Sequence, residues 1–280
     1  MDYRWPQELT DLADEAAAWV REATADLFTI DDGWLVGYSD EFTARLGDRG
    51  WIGMCWPTSA GGDGRPEVER FVVTEQLLLG GAPMASSFFP DRQIGPVLLA
   101  YGTPQQQARF LPEMRAGRSR WCIGMSEPDA GSDVAAIGTT AVRDGDRFIV
   151  NGQKIWTSGA ATANWCYLIC RTDPDSPPHK GMSELIVPMD SPGIEVRPIR
   201  DASGDAHFNE VFFDEVAVPV ENLVGELNNS FSQTMRANRV SRNVTYAPAY
   251  TIMGGTTQIL RNIIGERILR LPREPRVPRG

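Results

Sequence analysis

Residues 121–131 read WCIGMSEPDAG, and residues 151–159 read NGQKIWTSG. The first stretch sets glycines, a proline and small residues around Ser126, where the edge of a cofactor could approach the backbone closely. In the second stretch Trp156 and Ser158 are two residues apart, so a strand would project both side chains from one face. An indole beside a hydroxyl suits a flat, partly polar ring. Each stretch alone is typical of a turn or a buried β-core, but the two together in this order indicate a cofactor site.

The region around these stretches has the period of β-strands. Asp144-Gly145 and Asn151-Gly152 are hairpin dipeptides, which predict three strands joined by tight turns. The full set of predicted strands covers residues 139–142, 148–150, 154–157, 165–170, 185–188, 194–199 and 208–218. No GxGxxG motif follows a strand, so the pattern favours an antiparallel sandwich or barrel over a parallel dinucleotide-binding sheet.

The chain before this region has helical periodicity. Apolar residues recur at three- and four-residue spacing, for example Leu9, Leu12, Ala16 and Trp19. Residues 103–106 read TPQQ, which predicts a helix start with a capping box, and Pro112 should end or kink that helix. We therefore predict a helical domain over residues 1–118 and a β-domain over residues 119–226.

The remaining residues, 227–280, again read as helical. Phe231 and Met235 predict one helix, and a second is strongly amphipathic, with Ile259, Leu260, Ile263, Ile264 and Ile268 on one face. Only a short stretch separates the two. The fold class predicted from the whole chain is therefore α+β multidomain: an N-terminal helical domain, a middle antiparallel β-sandwich or barrel, and a truncated C-terminal helical bundle.

Composition is that of an acidic enzyme. The net charge of −10 argues against binding to nucleic acid or to an anionic membrane. No apolar run approaches the ~20 residues of a membrane span, and the N-terminus lacks the pattern of a signal peptide, so we expect a cytoplasmic protein without membrane insertion. Four cysteines without a CxxC pair, and only two histidines, predict buried reduced thiols and no metal site.

In these motifs and their order the chain resembles the acyl-CoA dehydrogenases along nearly its whole length. Residues 225–228 (GELN) resemble the start of that family's C-terminal bundle, and residues 254–262 (GGTTQILRN) resemble its last helix. Family members have a full four-helix bundle between these points, so the interior of the bundle is expected to be missing here. The resemblance implies FAD as cofactor, an acyl-CoA substrate, an electron-transfer flavoprotein as acceptor, and a homo- or hetero-oligomer.

The resemblance also implies which residues contact FAD: Met125, Ser126, Ser132, Trp156, Ser158, Thr256 and Gln258. Met125 and Ser126 would contact the isoalloxazine ring, and Ser132 would lie near the flavin phosphate or the acyl-CoA. Trp156 would pack on the ring, and Ser158 would hydrogen-bond near its N5 edge. The alternatives are a turn or helix cap for Ser132, core packing for Trp156 and an ordinary strand hydroxyl for Ser158.

The catalytic base is not identified in this sequence. In the family a glutamate removes the α-proton of the thioester, and one of its two known positions corresponds to Gly254 here. The other lies on a helix that carries no acid here, because no Asp or Glu occurs between Asn228 and Gly265. Glu127 and Asp133 have suitable side chains, but the family uses neither as base, so we interpret both as turn and structural residues.

Three interpretations follow from the missing base. The chain is an acyl-CoA dehydrogenase whose sequence lacks an internal segment, or a shortened non-catalytic partner that completes a flavin site with another subunit. The third interpretation keeps the flavin with a different electron acceptor, as in acyl-CoA oxidases or nitroalkane-oxidising enzymes. The length and type of the acyl chain stay open, including steroid-type thioesters.

Overall fold

A computed structural model of the protein describes residues 5–27, 33, 37–202, 204–231 and 233. The first part is helical: α1 (Gln7–Ala23), α2 (Asp40–Asp48), α3 (Glu67–Leu79), α4 (Ala85–Phe89), α5 (Gly95–Tyr101) and α6 (Pro104–Arg115). The second part is a sheet: β1 (Trp121–Gly124), β2 (Thr140–Asp144), β3 (Arg147–Lys154), β4 (Trp165–Arg171), β5 (Met182–Pro188), β6 (Ile194–Ile199), β7 (Phe208–Pro219) and β8 (Leu223–Val224).

The helical part forms because apolar residues recur at helical spacing. On α1 one buried stripe consists of Leu12, Ala16, Val20 and Ala23, and it packs against α3. The predicted capping box at the start of α6 is confirmed, since Gln106 N donates to Thr103 Oγ1 at 3.2 Å and Thr103 N donates to Gln106 Oε1 at 3.0 Å.

Of the two outcomes predicted for Pro112, an end of α6 is wrong, and a kink stays a prediction. The helix continues to Arg115, with Pro112 inside it. A proline removes one backbone donor, but Leu111 and Met114 on either side are both buried, and their burial holds the last turn in place.

The sheet has the strand order β6-β7-β3-β2-β4-β5-β8, and β1 pairs with β4 off this path. Most neighbours are antiparallel, as predicted, while β1 and β2 each run parallel to β4. Alternate residues of β3, including Phe148 and Val150, bury one apolar face, whereas consecutive residues of β4 and β5 are buried on both faces. Predicted and observed strands agree closely for β4 to β7.

The prediction of a second tight turn at Asn151-Gly152 is wrong. Both residues lie inside β3, where the pairing with β7 shifts register and forms a bulge. Gly152 has φ +145°, and a Cβ at this position would lie 2.7 Å from Thr139 Cα. The Asn151 side chain accepts from Glu215 N at 2.8 Å and donates to Glu215 Oε1 at 2.6 Å, so the amide serves the bulge and not a turn.

The helical part joins the sheet through aromatic rings and one buried amide. Phe110 of α6 lies edge-on to Trp121 and Trp165, with ring centroids 5.4 and 5.1 Å away. Gln106 Nε2 donates to the carbonyls of Glu221 at 2.7 Å and Leu223 at 2.8 Å. These contacts place the end of the helical part against β1, directly before the first of the two candidate flavin stretches.

Helices followed by a mostly antiparallel sheet confirm the predicted order of the first two parts, and the boundaries at 118 and 226 stay predictions. The first predicted C-terminal helix begins within the described residues, where Ser230, Phe231 and Gln233 are helical, and the rest of it lies outside them, as does the whole second helix. Within the described part of the chain, no helix combines the length and the apolar character needed to span a bilayer.

Candidate functional site

The two stretches singled out in the sequence lie side by side. The loop that follows β1 begins with Met125 and Ser126, and it contacts the end of β3 through two hydrogen bonds. Lys154 Nζ donates to the Met125 carbonyl at 3.0 Å, and Ile155 N donates to the Ser126 carbonyl at 2.9 Å. These two hydrogen bonds join the loop after β1 to the end of β3, so the two stretches of sequence form one continuous surface.

A buried ion pair underlies this contact. The Lys154 side chain is fully buried, and its ammonium lies 2.7 Å from Glu127 Oε1. Glu127 also accepts from Gly138 N at 2.6 Å and from Thr139 N at 2.9 Å, so its carboxylate ties both ends of the loop together. These contacts agree with the interpretation of Glu127 as a turn and structural residue, which stays a prediction.

The electrostatics of the pair follow from its burial. Burial raises the pKa of the Glu127 carboxyl, but the Lys154 charge and the Gly138 amide outweigh it and hold that pKa below its ordinary value. Burial lowers the pKa of Lys154, against the opposing effect of Glu127. The carboxylate is therefore the form that the folded protein favours at neutral pH.

Trp156 stands on the surface directly after this pair. Its side chain is 56% exposed, and its ring lies edge-on to Phe208 with centroids 5.7 Å apart. The strand geometry predicted for Trp156 and Ser158 is wrong, because β3 ends at Lys154 and Trp156 has φ +58°. A tryptophan in this left-handed region costs about 1–3 kcal/mol, and such strain concentrates at functional sites.

The strained segment is held against the start of β7. Thr157 N donates to the Asn209 carbonyl at 3.0 Å, Asn209 Nδ2 donates back to the Thr157 carbonyl at 3.0 Å, and Gly159 N donates to the His207 carbonyl at 2.9 Å. These bonds fix residues 156–159 in place and keep Trp156 on the surface.

Three buried polar atoms beside Trp156 have no hydrogen-bond partner among the described residues: Thr157 Oγ1, His207 Nδ1 and Asn209 Oδ1. The His207 nitrogen lies 3.7 Å from Asp201 Oδ2. The hydroxyls of Ser126 and Ser158, both half-buried, make no hydrogen bond to another described residue either. An exposed indole, together with nearby sequence stretches that carry unused hydroxyls, suits a flat aromatic ligand with polar edges, so the residues present are compatible with FAD.

The structure places the other predicted residues as follows. Ser132 is exposed on the loop after β1, as is Asp133, and the Ser132 hydroxyl has no hydrogen-bond partner in the described part of the chain. Thr256 and Gln258 lie outside the described residues.

The sequence motifs did not indicate Lys154, His207 or Asn209. A lysine in a strand gives no signal of burial by itself. Asn209 in β7 and His207 directly before β7 come within reach of residues 156–159 only through long-range strand pairing.

Two open clefts lie away from this surface, at the junction of the helices and the sheet. One of about 420 Å³ is lined by Glu113, Trp165 and Asp190, and one of about 480 Å³ by Asp40, Glu41 and Arg120. Neither is lined by any residue predicted to contact FAD.

Comparison with protein families gives two matches. The model described as "Acyl-CoA dehydrogenase, N-terminal domain" matches residues 6–118, and the model described as "Acyl-CoA dehydrogenase, middle domain" matches residues 122–216. The first covers the six helices, and the second contains the strands and loops that build the surface around Trp156.

Curated relatives carry the same family name. Acyl-CoA dehydrogenase IpdE1 of Mycobacterium tuberculosis is 42% identical over 201 residues, which are 72% of this chain and 52% of the relative. Acyl-CoA dehydrogenase FadE29 of the same organism is 41% identical over 187 residues, which are 67% of this chain and 48% of the relative. The chain spans about half the length of these relatives.

Solved structures agree in fold. A protein described as the Tcur3481-Tcur3483 steroid ACAD aligns with a TM-score of 0.78 and 36% identity, covering 86% of this chain and 64% of that chain. The ChsE4-ChsE5 complex from Mycobacterium tuberculosis aligns with a TM-score of 0.75 and 33% identity, covering 85% of this chain and 61% of that chain. The two matched domains, the relatives and the fold lead to one conclusion: the chain belongs to the acyl-CoA dehydrogenase family, whose members are flavoprotein oxidoreductases.

Proposed function

We propose that this protein binds FAD on the surface formed by Met125, Ser126 and residues 156–158 and takes part in the α,β-desaturation of an acyl-CoA thioester. The observation that carries the proposal is the joining of these two stretches by Lys154 and Ile155, beside the exposed ring of Trp156. Family membership supports FAD over FMN or a nicotinamide cofactor. We propose an electron-transfer flavoprotein as the acceptor of the electrons.

The described residues would bind and orient the cofactor. Trp156 offers an aromatic face already fixed by Phe208, so little side-chain entropy is lost when a ring stacks on it. Ser126 and Ser158 offer hydroxyls that no other described residue uses. Bound FAD would supply the acceptor for the hydride that leaves the β-carbon of the substrate.

For the substrate we propose a CoA thioester with a steroid-derived acyl group. The support is similarity to a protein described as a steroid ACAD, at 36% identity over most of this chain. A panel of saturated acyl-CoAs of short, long and steroid type tests this choice, since the preferred thioester should give the largest rate of flavin bleaching under anaerobic conditions.

A second candidate function is that of a non-catalytic subunit that supplies part of a flavin site to a partner chain. The observation that favours it is the absence of any Asp or Glu between Asn228 and Gly265, where the family places its base. Similarity to one chain of the ChsE4-ChsE5 complex supports assembly into an oligomer, with itself or with a second chain.

The first experiment tests FAD binding. The full chain is reconstituted with excess FAD, gel-filtered, and its visible spectrum recorded, followed by the same measurement on Trp156→Ala. The matched control is Trp5→Ala, because Trp5 is also about half exposed (48%) and also contacts one phenylalanine, Phe71, at 6.1 Å. We expect retained flavin for the parent and the control and weakened retention for Trp156→Ala. A parent chain that retains no FAD in any oligomeric state would refute the proposal.

The second experiment separates the two functions. We expect the chain alone to bleach its flavin slowly or not at all with acyl-CoA, since removal of a general base costs on the order of 10²–10⁴-fold in rate. Gly254→Glu restores a carboxylate at one of the family's two positions, and faster bleaching in that variant would support the catalytic role. Bound flavin with no bleaching in either protein would favour the non-catalytic subunit.

A further inference from the structure

The direction of one peptide group near the proposed flavin surface is fixed by the protein. The Met125 carbonyl accepts from Lys154 Nζ, and the next carbonyl, that of Ser126, accepts from Ile155 N. Because a trans peptide places its C=O and N–H on opposite sides, the Ser126 N–H points away from Lys154. That N–H makes no hydrogen bond with another described residue.

Lys154 occupies a position that is energetically unfavourable for a charged group. Its side chain is fully buried, and removing an ammonium from water costs several kcal/mol that a methionine of similar length would not incur. The cost is offset through Glu127, whose carboxylate accepts the ammonium and also the amides of Gly138 and Thr139. The pair thus connects β3, the start of the loop and the end of the loop at one point.

We propose that Lys154 and Glu127 are positioning residues for the flavin. Lys154 turns the peptide between Met125 and Ser126 so that the Ser126 N–H faces a hydrogen-bond acceptor on the edge of the isoalloxazine ring, and Glu127 holds Lys154 in that position. This inference rests on the proposed function, because it requires that FAD binds at this surface. Neither residue touches substrate or cofactor.

The first test uses variants. Lys154→Met keeps the volume and removes the donor, and Lys180→Met is its matched control, since Lys180 is exposed and is the one other lysine of the chain. Apo-protein melting temperatures show which variants fold, and binding of FAD is then measured by quenching of its fluorescence. We expect about a tenfold loss of FAD affinity for Lys154→Met, the effect of one or two misdirected hydrogen bonds, and a changed shape of the bound flavin spectrum. Lys180→Met should match the parent in both.

The second test needs no variant of the pair. With lysine labelled by ¹⁵N at Nζ, the chain carries two labelled side chains, and Lys180→Met assigns them. We expect FAD to shift the resonance of Lys154 and to leave that of Lys180 unchanged. The proposal is wrong if the parent binds FAD with no shift at Lys154, or if a folded Lys154→Met variant binds FAD with parental affinity and spectrum. A parent that binds no FAD would instead refute the proposed function.

Discussion

Replacing Gln106 by glutamate should destabilise this protein although glutamate is a favoured residue at the third position of a capping box. The Gln106 side chain is buried, and it makes three hydrogen bonds: its Oε1 accepts from Thr103 N, and its Nε2 donates to the carbonyls of Glu221 and Leu223. A carboxylate keeps the first bond. It also places a charged oxygen where a donor now lies 2.7 and 2.8 Å from two carbonyl oxygens.

The magnitudes follow from these contacts. Gln106→Ala loses three hydrogen bonds at about 1 kcal/mol each and leaves two carbonyls without that donor, so we expect a loss of about 2–4 kcal/mol. Gln106→Glu buries a negative charge against two carbonyl oxygens at neutral pH, which costs about 3–5 kcal/mol. The order of stability should therefore be parent, then Gln106→Ala, then Gln106→Glu.

Urea unfolding of the parent and both variants at pH 7 and pH 5 measures these differences. The introduced carboxyl has a pKa that is higher in the folded than in the unfolded chain, so its penalty should shrink as the pH falls and the group takes up a proton. The control is Gln105→Glu, an exposed residue in the first turn, where an acid should change stability by less than about 1 kcal/mol. A Gln106→Glu variant as stable as the parent at pH 7 would contradict the role of Gln106 as a bridge between helix and sheet.

Three further outcomes are expected. Gly152→Ala should lower the free energy of unfolding by more than about 1 kcal/mol, because a Cβ there would lie 2.7 Å from a backbone atom. The loss should exceed that of Gly145→Ala, whose Cβ would meet no atom within 4 Å. Equal losses in the two variants would argue against the bulge. Burial raises the pKa of the Cys170 and Cys55 thiols to about 12, so a thiol reagent at pH 8 should react slowly with the native protein. After denaturation the reagent should react with all four thiols of the chain. Rapid labelling of the native protein would contradict this. Folding lowers the pKa of Glu127, so its ionised form stabilises the fold at pH values above the unfolded-state pKa, which is near 4.5. The stability advantage of the parent over Glu127→Gln should therefore shrink as the pH falls through the folded-state pKa. A difference in stability that is independent of pH would refute the charge on Glu127 as the cause.

The strands could be predicted from the sequence wherever local pattern and burial agree. Residues 194–199 alternate along the edge strand β6, and the observed bounds match the predicted ones. Asn151-Gly152 shows the limit, because the same dipeptide that forms tight turns forms a bulge when β7 pairs across it. That pairing joins Gly152 to Phe213, 61 positions away, and no local pattern contains such a partner.

The candidate site was predictable in its motifs and not in its geometry. The sequence indicates Ser126, Trp156 and Ser158, yet the reason given for the last two, a shared strand face, does not hold. What joins the stretches is the pairing of Lys154 with Glu127, and a buried ion pair between two distant polar residues leaves no periodic trace in a sequence. The contact of these residues with FAD stays a prediction.

The bridge from Gln106 to Leu223 has a consequence for the order of folding. It joins residues 117 positions apart. Closing so long a loop loses conformational entropy before the contacts that stabilise the closed loop can form. During synthesis the first turn of α6 emerges long before its partners in the sheet exist. We therefore expect the helical part to remain incompletely docked onto the sheet until Leu223 has left the ribosome. The sheet is synthesised second, and its formation completes the helical domain that was synthesised first.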